Sequence, residues 1–503
     1  MSLVRRNVIA NFAGRIWTAL VNLAFIPLYV QYLGMEAYGL IGFHATMAAM
    51  FSLLDLGLSS TINREIARWA ARPSDGQEVR NLVRTLETIY WVAALWIAVL
   101  VVALAPLIAG RWVDARDLPA DTVAHAVRMM GLSIALQWPS ALYAGGIEGL
   151  QHQVFLNGVQ IAGLTLRNGG VVLALAWLSP TLTIFFGWTA AVNALMTLVL
   201  RESLWRMLPV TGRSALFDRG VVRRVWRFAG GMSGIAILSF ILMQMDRLVL
   251  SKMLSLEQFG YYTLAVTVAS TLLQVVRPFT SAFFPQLVQA AAVPGDRSLA
   301  LLYHRSCQVV SVAVVPVAIT LAVFSRELLL VWTGEERVAS QVAQPLALLS
   351  VGYGLLALMN MPYLLQLASG WLQLAFWQNV LSVVVLLPLL LWAVRSYGAT
   401  GAAMVWLLLN IGYVLIAVPL MHRRLLPGEA GEWYLHDTGA PICVALLVVL
   451  GSSVSVHGQT ARSVLLLTIG GIWLIATLAA GLAAPQMRAM LLGRAGRGAR
   501  AGL

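Results

Sequence analysis

Charged side chains are scarce in this sequence of 503 residues. They make up 11% of the residues, and 59% are hydrophobic, whereas soluble domains carry about a quarter charged residues. Five stretches contain no charged side chain: residues 91–110, 306–325, 371–394, 396–420 and 463–485. Each is about as long as the roughly 20 residues that cross a bilayer as a helix. The composition therefore excludes a soluble protein and predicts an all-α, polytopic membrane protein.

Cysteine and catalytic motifs are also lacking. Cys307 and Cys443 are the two cysteines, both in apolar stretches, which excludes a disulfide framework and predicts small core side chains. The sequence has no Gly-x-x-x-x-Gly-Lys, Gly-x-Gly-x-x-Gly, Gly-x-Ser-x-Gly or His-Glu-x-x-His motif, the patterns of nucleotide, hydrolase and zinc sites. We therefore expect no ATP-driven pumping by this chain, and we predict no catalytic residues, metal or cofactor.

Lysine is almost absent, although the net charge is +13 and arginine is abundant. A basic protein can bind nucleic acid. Here most arginines lie in short loops between apolar stretches, where membrane topology explains them because positive residues concentrate in cytoplasmic loops. The sequence therefore predicts membrane lipids as partners and no nucleic acid.

Hydropathy predicts about fourteen transmembrane helices. The expected starts are near residues 8, 37, 88, 124, 153, 181, 228, 258, 306, 342, 371, 397, 440 and 463. With the N-terminus in the cytoplasm, the loops and tails on that side carry about three times as many basic residues as the opposite side. This bias predicts a multi-pass membrane protein with both termini cytoplasmic.

The sequence repeats itself after about 220 residues. Residues 33–39 (LGMEAYG) are echoed by residues 254–260 (LSLEQFG), and residues 4–6 (VRR) by residues 222–224. Six spans in each copy give both halves the same orientation, with the substrate expected between them near the bilayer midplane. We predict an N-terminal six-helix bundle (residues 1–210), a pseudo-symmetric C-terminal one (residues 211–427), and two appended helices with a basic cytoplasmic tail (residues 428–503).

Several stretches resemble the polysaccharide transporters, or O-antigen flippases, of the multidrug/oligosaccharidyl-lipid/polysaccharide exporter superfamily. They are residues 11–27, 32–40 (YLGMEAYGL), 54–58 (LDLGL), 244–247 (QMDR), 257–262 (EQFGYY) and 284–287 (FPQL). The resemblance covers most of residues 1–425. It implies two bundles facing a central cavity, alternating access, and an undecaprenyl-diphosphate-linked oligosaccharide as the substrate, moved from the cytoplasmic to the periplasmic leaflet.

Arginines inside the predicted spans are the candidate substrate-binding residues: Arg15, Arg167, Arg247 and Arg277. An arginine at a helix centre costs about 2.5–3.5 kcal/mol, so it rarely faces lipid, and its guanidinium matches phosphate oxygens. Pairing with a carboxylate is the alternative for Arg15, and an interfacial position is the alternative for Arg247. Arg128 is expected at the interface.

Two acids lie inside the predicted spans. Asp246 is expected to pair across the bundle or to bind a coupling H⁺ or Na⁺. Asp55 is expected to form a gate with an arginine or to cap its helix near Gly57. For both we predict gating or ion coupling beside a structural alternative.

Two other functions remain open. A multidrug antiporter of the same superfamily would need acids and aromatic side chains for cationic drugs, and the excess of interior arginines disfavours it. A membrane glycosyltransferase or polymerase would need a large external loop, and the longest one predicted here, residues 111–122, is short.

Overall fold

The fold is helical, as the composition predicts. The computed structural model describes residue 14 and residues 17–71, 76–293, 297–456 and 461–491. These residues form helices and connecting turns, with no β-strand among them and one isolated bridge between Asp114 and Ser255. The chain divides into two compact units, Met1–Gly260 and Tyr261–Leu503. The boundaries expected at residues 210 and 427 remain a prediction.

Nine helices lie within the described part of the first unit, and a tenth leads into the second. They are α1 (Trp17–Leu33), α2 (Met35–Ser52), α3 (Leu58–Ala71), α4 (Gly76–Leu107), α5 (Ala120–Gln137), α6 (Ser140–Gly149), α7 (Gln153–Trp177), α8 (Leu182–Met207), α9 (Arg219–Met253) and α10 (Leu256–Ala291). Short 3₁₀ and π turns extend α2 and α4: Leu53–Asp55 and Ile108–Trp112.

The second unit continues with nine further helices over its described residues. They are α11 (Arg297–Val323), α12 (Ser325–Thr333), α13 (Glu336–Leu358), α14 (Asn360–Ala368), α15 (Gln373–Gly412), α16 (Val418–Leu425), α17 (Ala440–Gly451), α18 (Arg462–Ala483) and α19 (Pro485–Leu491). Shorter turns connect them: Tyr413–Ala417, Ala430–Glu432, Trp433–Gly439 and Ser453–Ser455. The appended helices α17 and α18 pack on α11.

Ten helical segments among the described residues are long and apolar enough to cross a membrane. One of them, Gln373–Leu425, is broken at Gly398, whose φ of 58° and ψ of −136° are not helical. Two predicted spans meet at that break. The first predicted span begins near residue 8, outside the described residues. The polytopic all-α fold is confirmed, and the count of fourteen remains a prediction.

Close helix packing in the first unit depends on small residues. A Cβ on Gly145 would lie 2.6 Å from the carbonyl oxygen of Ser59, and one on Gly149 would lie 2.6 Å from that of Asn63. Glycines four residues apart on one helix face let two membrane helices approach closely. This spacing therefore holds α6 directly against α3.

The two echoed segments contact each other at equivalent positions. A Cβ on Gly39 would lie 2.1 Å from the carbonyl oxygen of Leu256, and one on Gly260 would lie 2.6 Å from that of Met35. Gly260 and Leu256 each follow their counterparts, Gly39 and Met35, by 221 residues. The contacts are therefore reciprocal, as expected of two copies of one segment related by a twofold axis.

A buried carboxylate fixes the loop after α4. Glu36, at the start of α2, accepts hydrogen bonds from the backbone N–H groups of Arg116 (2.5 Å) and Asp117 (2.9 Å). An unpaired buried carboxylate would be costly, so these two donors explain how Glu36 can be buried. Glu36 belongs to the echoed segment, which gives that segment a structural role.

Candidate functional site

A polar cavity that is partly open lies within the first unit, bordered by α1 and α5 to α8. Its volume is about 380 Å³. Its polar lining consists of Thr18, Gln137, Ser140, Gln160, Arg167, Asn193 and Thr197. Gly163 lies in the wall on α7, opposite Met196 of α8. So many polar side chains between membrane helices point to a ligand, because apolar side chains fill ordinary helix packing.

Arg167 is the charged residue among the described residues that line this cavity. It lies near the middle of α7. The titratable side chains that interact with it electrostatically are Tyr29 and His44, neither of which carries a negative charge at neutral pH. Among the residues that the structure describes, no carboxylate pairs with Arg167 and no hydrogen bond to its guanidinium is formed. The guanidinium is therefore free to bind an anion.

Hydrogen bonds orient the amide groups of the cavity. The Asn193 amide donates to the Ser133 hydroxyl (3.0 Å) and to the Gln137 carbonyl (3.3 Å), and the Thr197 hydroxyl donates to the Leu136 carbonyl oxygen (2.8 Å). These bonds use the Asn193 donors and leave its carbonyl oxygen available as an acceptor. The amide nitrogen of Gln137 likewise remains available as a donor.

Tyr29 supports the helix next to Arg167. Its hydroxyl donates to the Asn168 side chain at 2.8 Å, and its ring packs edge-on against Phe185 with centroids 5.2 Å apart. The same contacts join α1, α7 and α8. Asn168, the residue after Arg167, therefore fixes the position of α7 at the point where Arg167 projects from it.

Of the other candidate arginines, Arg247, Arg277 and Arg128 are not part of this lining. Arg15 lies outside the described residues. Arg247 lies on α9, half-buried, and among described residues its Nε atom is buried without a hydrogen-bond partner. Arg277 is exposed on α10, in the second unit. Arg128 is exposed on α5.

The two predicted acids have different surroundings. Asp55 ends the 3₁₀ turn after α2 and accepts a hydrogen bond from the backbone N–H of Ser59 at 3.4 Å, as a helix cap does. It also accepts hydrogen bonds from the hydroxyls of Ser59 (2.7 Å) and Tyr90. Asp246 is 8% exposed on α9, and its carboxylate accepts the backbone N–H of Arg247 at 2.7 Å. Their gating or ion-coupling role remains a prediction.

The sequence did not single out Glu87, which is buried on α4. Its carboxylate accepts hydrogen bonds from Arg84 (2.9 Å), Arg201 (2.6 Å) and the Tyr143 hydroxyl (2.8 Å). The span predicted to begin near residue 88 leaves Arg84 and Glu87 in the loop before it. The spacing of three residues between Arg84 and Glu87, which allows pairing on one helix face, was the available signal.

A second cluster that the sequence did not predict lies in the second unit. The imidazole of His304 on α11 has Nδ1 2.5 Å from an oxygen of Asp437 and Nε2 3.2 Å from one of Glu429. Gln308 donates to the other oxygen of Asp437 at 2.9 Å. Asp437 is completely buried in the π turn before α17, so this cluster ties the appended helix to α11.

Comparisons with known proteins agree with this architecture. The chain is 20% identical to an O-antigen transporter of Shigella flexneri over 406 residues, which are 81% of this chain and 94% of the relative. Its fold is similar to that of the lipid II flippase MurJ in an inward closed conformation, with a TM-score of 0.71, 14% identity, and 95% of this chain and 98% of the other covered.

An inward-facing multidrug resistance MATE transporter of the MOP superfamily is also similar, with a TM-score of 0.65, 14% identity, and 84% and 99% of the two chains covered. At such identities these likenesses establish the fold. Residues 4–291, more than half of the chain, match the family described as polysaccharide biosynthesis protein. The chain therefore belongs to the polysaccharide biosynthesis protein family.

Proposed function

We propose that the chain is a flippase for a lipid-linked oligosaccharide. The substrate is an undecaprenyl-diphosphate-linked repeat unit of O-antigen, capsule or exopolysaccharide. It moves from the cytoplasmic to the periplasmic leaflet of the bacterial inner membrane by alternating access, with both termini of the chain cytoplasmic. The family and the O-antigen transporter among its relatives support this substrate class.

Arg167 in its polar cavity is the observation that carries the proposal. A cation within a membrane helix is costly, and such residues mark substrate or ion pathways. Arginine binds phosphate oxygens through several N–H donors, and the amides and hydroxyls around it match the hydroxyls of a sugar. The volume of about 380 Å³ lies in the range of small-ligand pockets, so the diphosphate and the adjoining sugar are the part it would hold.

The remaining predicted residues have supporting roles in this proposal. Arg15, Arg247 and Arg277 are further cationic partners along the substrate path. Asp55 and Asp246 are the candidates for gating or for binding a coupling H⁺ or Na⁺. A multidrug antiporter is disfavoured because an unpaired arginine in the cavity repels the cationic drugs that acids and aromatic rings bind.

Transport by the purified chain in proteoliposomes tests the proposal. A fluorescent undecaprenyl-diphosphate oligosaccharide would be followed by its protection from an added quencher, with and without H⁺ or Na⁺ gradients. Arg167→Gln is expected to slow translocation about tenfold to a hundredfold, since a hydrogen bond to a charged group contributes about 1.5–3 kcal/mol. Arg167→Lys should retain part of the rate.

Arg128→Gln is the matched control, because Arg128 is exposed on a helix of the same unit and does not line the cavity. Its rate should equal that of the unchanged chain. Normal translocation by Arg167→Gln would contradict the role of the cavity. Drug export without any oligosaccharide translocation by the unchanged chain would favour the antiporter instead.

A further inference from the structure

A groove between α4 and α8 lies apart from the Arg167 cavity, on the surface of the first unit. Its volume is about 400 Å³. On α4 it is lined by a stripe of residues from Arg84 to Leu95, and on α8 by Arg201. The proposed transport cycle uses none of these side chains.

The groove carries an excess of positive charge. The Arg84 and Arg201 guanidiniums share the carboxylate of Glu87, which is 3% exposed, while the two arginine side chains are 49% and 37% exposed. One carboxylate cannot neutralise two guanidiniums. Each guanidinium has five N–H donors, of which one hydrogen-bonds to Glu87. The remaining donors can bind a second anion.

Both arginines lie at the level of lipid headgroups. Residues 88–110 follow Glu87 and residues 182–200 precede Arg201, and both stretches are free of charge and long enough to cross the hydrocarbon. The indole of Trp205 contacts Glu87 at 3.3 Å, and that of Trp91 donates to the Tyr143 hydroxyl at 3.0 Å. Tryptophans concentrate at the membrane interface.

An exposed apolar stripe continues from the arginines along α4. Val92 is 51% exposed and Leu95 64%, and 28% of the most apolar part of this helix is buried. The eleven helical steps from Arg84 to Leu95 rise about 16 Å, roughly half of the hydrocarbon thickness. The stripe therefore offers one lipid chain a path that begins at the guanidiniums.

We propose that this groove binds an anionic phospholipid. Its phosphate contacts Arg84 and Arg201, and one acyl chain lies along Thr88, Val92 and Leu95. The occupant is a lipid because the groove opens where the helix enters hydrocarbon, and it is anionic because the groove has a net positive charge. Basic pockets between transmembrane helices are known lipid headgroup sites, and this proposal does not depend on the transported substrate.

Native mass spectrometry of the purified full chain tests this lipid site. Phosphatidylglycerol, phosphatidylcholine and undecaprenyl phosphate are added separately at equal concentrations. Phosphatidylglycerol should bind most tightly. Arg84→Gln should weaken that binding about fivefold, the effect of about 1 kcal/mol for one basic residue near an anionic surface. Arg206→Gln is the matched control on α8, because Arg206 is 78% exposed and pairs with Glu202 at 2.7 Å.

A second variant leaves the charges in place. Thr88→Phe would fill the exposed groove and leave the ion pairs of Glu87 in place. It should remove the tight phosphatidylglycerol complex, while the melting temperature of the protein stays unchanged. Unchanged binding by Thr88→Phe would overturn the site. Equal weakening by Arg206→Gln, or equal affinity for phosphatidylcholine, would overturn the charge argument, and tighter binding of undecaprenyl phosphate would overturn the choice of lipid.

Discussion

Arg167 pairs with no carboxylate among the residues that the structure describes. Its neighbours Tyr29 and His44 offer no negative charge at neutral pH, and it projects from the middle of a transmembrane helix. Natural proteins retain destabilising groups where function requires them. Replacing a residue retained for function should stabilise the protein, whereas replacing a residue that the packing needs should destabilise it. Substitution at Arg167 therefore separates a functional role from a structural one.

Arg167→Met should make the protein more stable and inactive. Methionine retains the length and apolar stem of the side chain, and its removal of the charge recovers part of the roughly 2.5–3.5 kcal/mol that an arginine costs in a membrane helix. Thermal unfolding in detergent, beside the proteoliposome assay, would show a higher midpoint and lost translocation. A lower midpoint would mean that Arg167 is a structural residue with partners in the fold.

Glu87→Gln should destabilise the first unit. The amide would leave Arg84 and Arg201 next to each other without a neutralising carboxylate, and breaking a buried pair costs about 3–5 kcal/mol. We expect about 3 kcal/mol, because both arginines are partly exposed. Glu202→Gln is the control in the same unfolding assay: its pair with Arg206 is exposed, so a change near zero is expected, and an equal loss in both variants would contradict the argument.

At the scale of elements, the reciprocal contact between α2 and α10 leaves no space for a side chain. Gly39→Ala would place a methyl group 2.1 Å from the carbonyl oxygen of Leu256, and overpacking of this kind costs about 1–3 kcal/mol. Gly158 on α7 has open space around its position. Gly158→Ala should therefore stabilise by up to about 1 kcal/mol. Unfolding midpoints that moved in the same direction would be inconsistent with a steric cause.

The His304–Asp437 pair adds a buried polar link to the packing of the appended helix on α11. His304→Leu leaves Asp437 buried with Gln308 as its remaining donor, so we expect a loss of about 3–5 kcal/mol. The double variant His304→Leu, Asp437→Leu should recover most of that loss, because two apolar side chains need no partner. A double-mutant cycle on unfolding midpoints measures this, and purely additive losses would show that the pair contributes nothing specific.

For the whole molecule, the sequence was informative where one physical constraint dominates. A bilayer excludes charge from helices, so scarce charge predicted the polytopic helical fold and drew attention to Arg167, which lines the cavity. The sequence did not predict the Glu87 cluster because α4 begins at Gly76, well before the charge-free stretch. Arg84 therefore belongs to a helix rather than to a loop. The contact of His304 with Asp437 joins residues 133 apart, and no local pattern reveals such a pairing.

The orientation of the whole chain follows from its loops and can be tested directly. We expect the loop between α8 and α9 in the cytoplasm and the loop between α4 and α5 in the periplasm, because positive residues concentrate on the cytoplasmic side. Ser214 and Asp117 are exposed representatives of these loops. In a chain with Cys307 and Cys443 replaced by alanine, a membrane-impermeant maleimide should label Asp117→Cys in intact spheroplasts and label Ser214→Cys only after permeabilisation. The reverse pattern would place both termini outside and would also reverse the direction of transport proposed for Arg167 and its cavity.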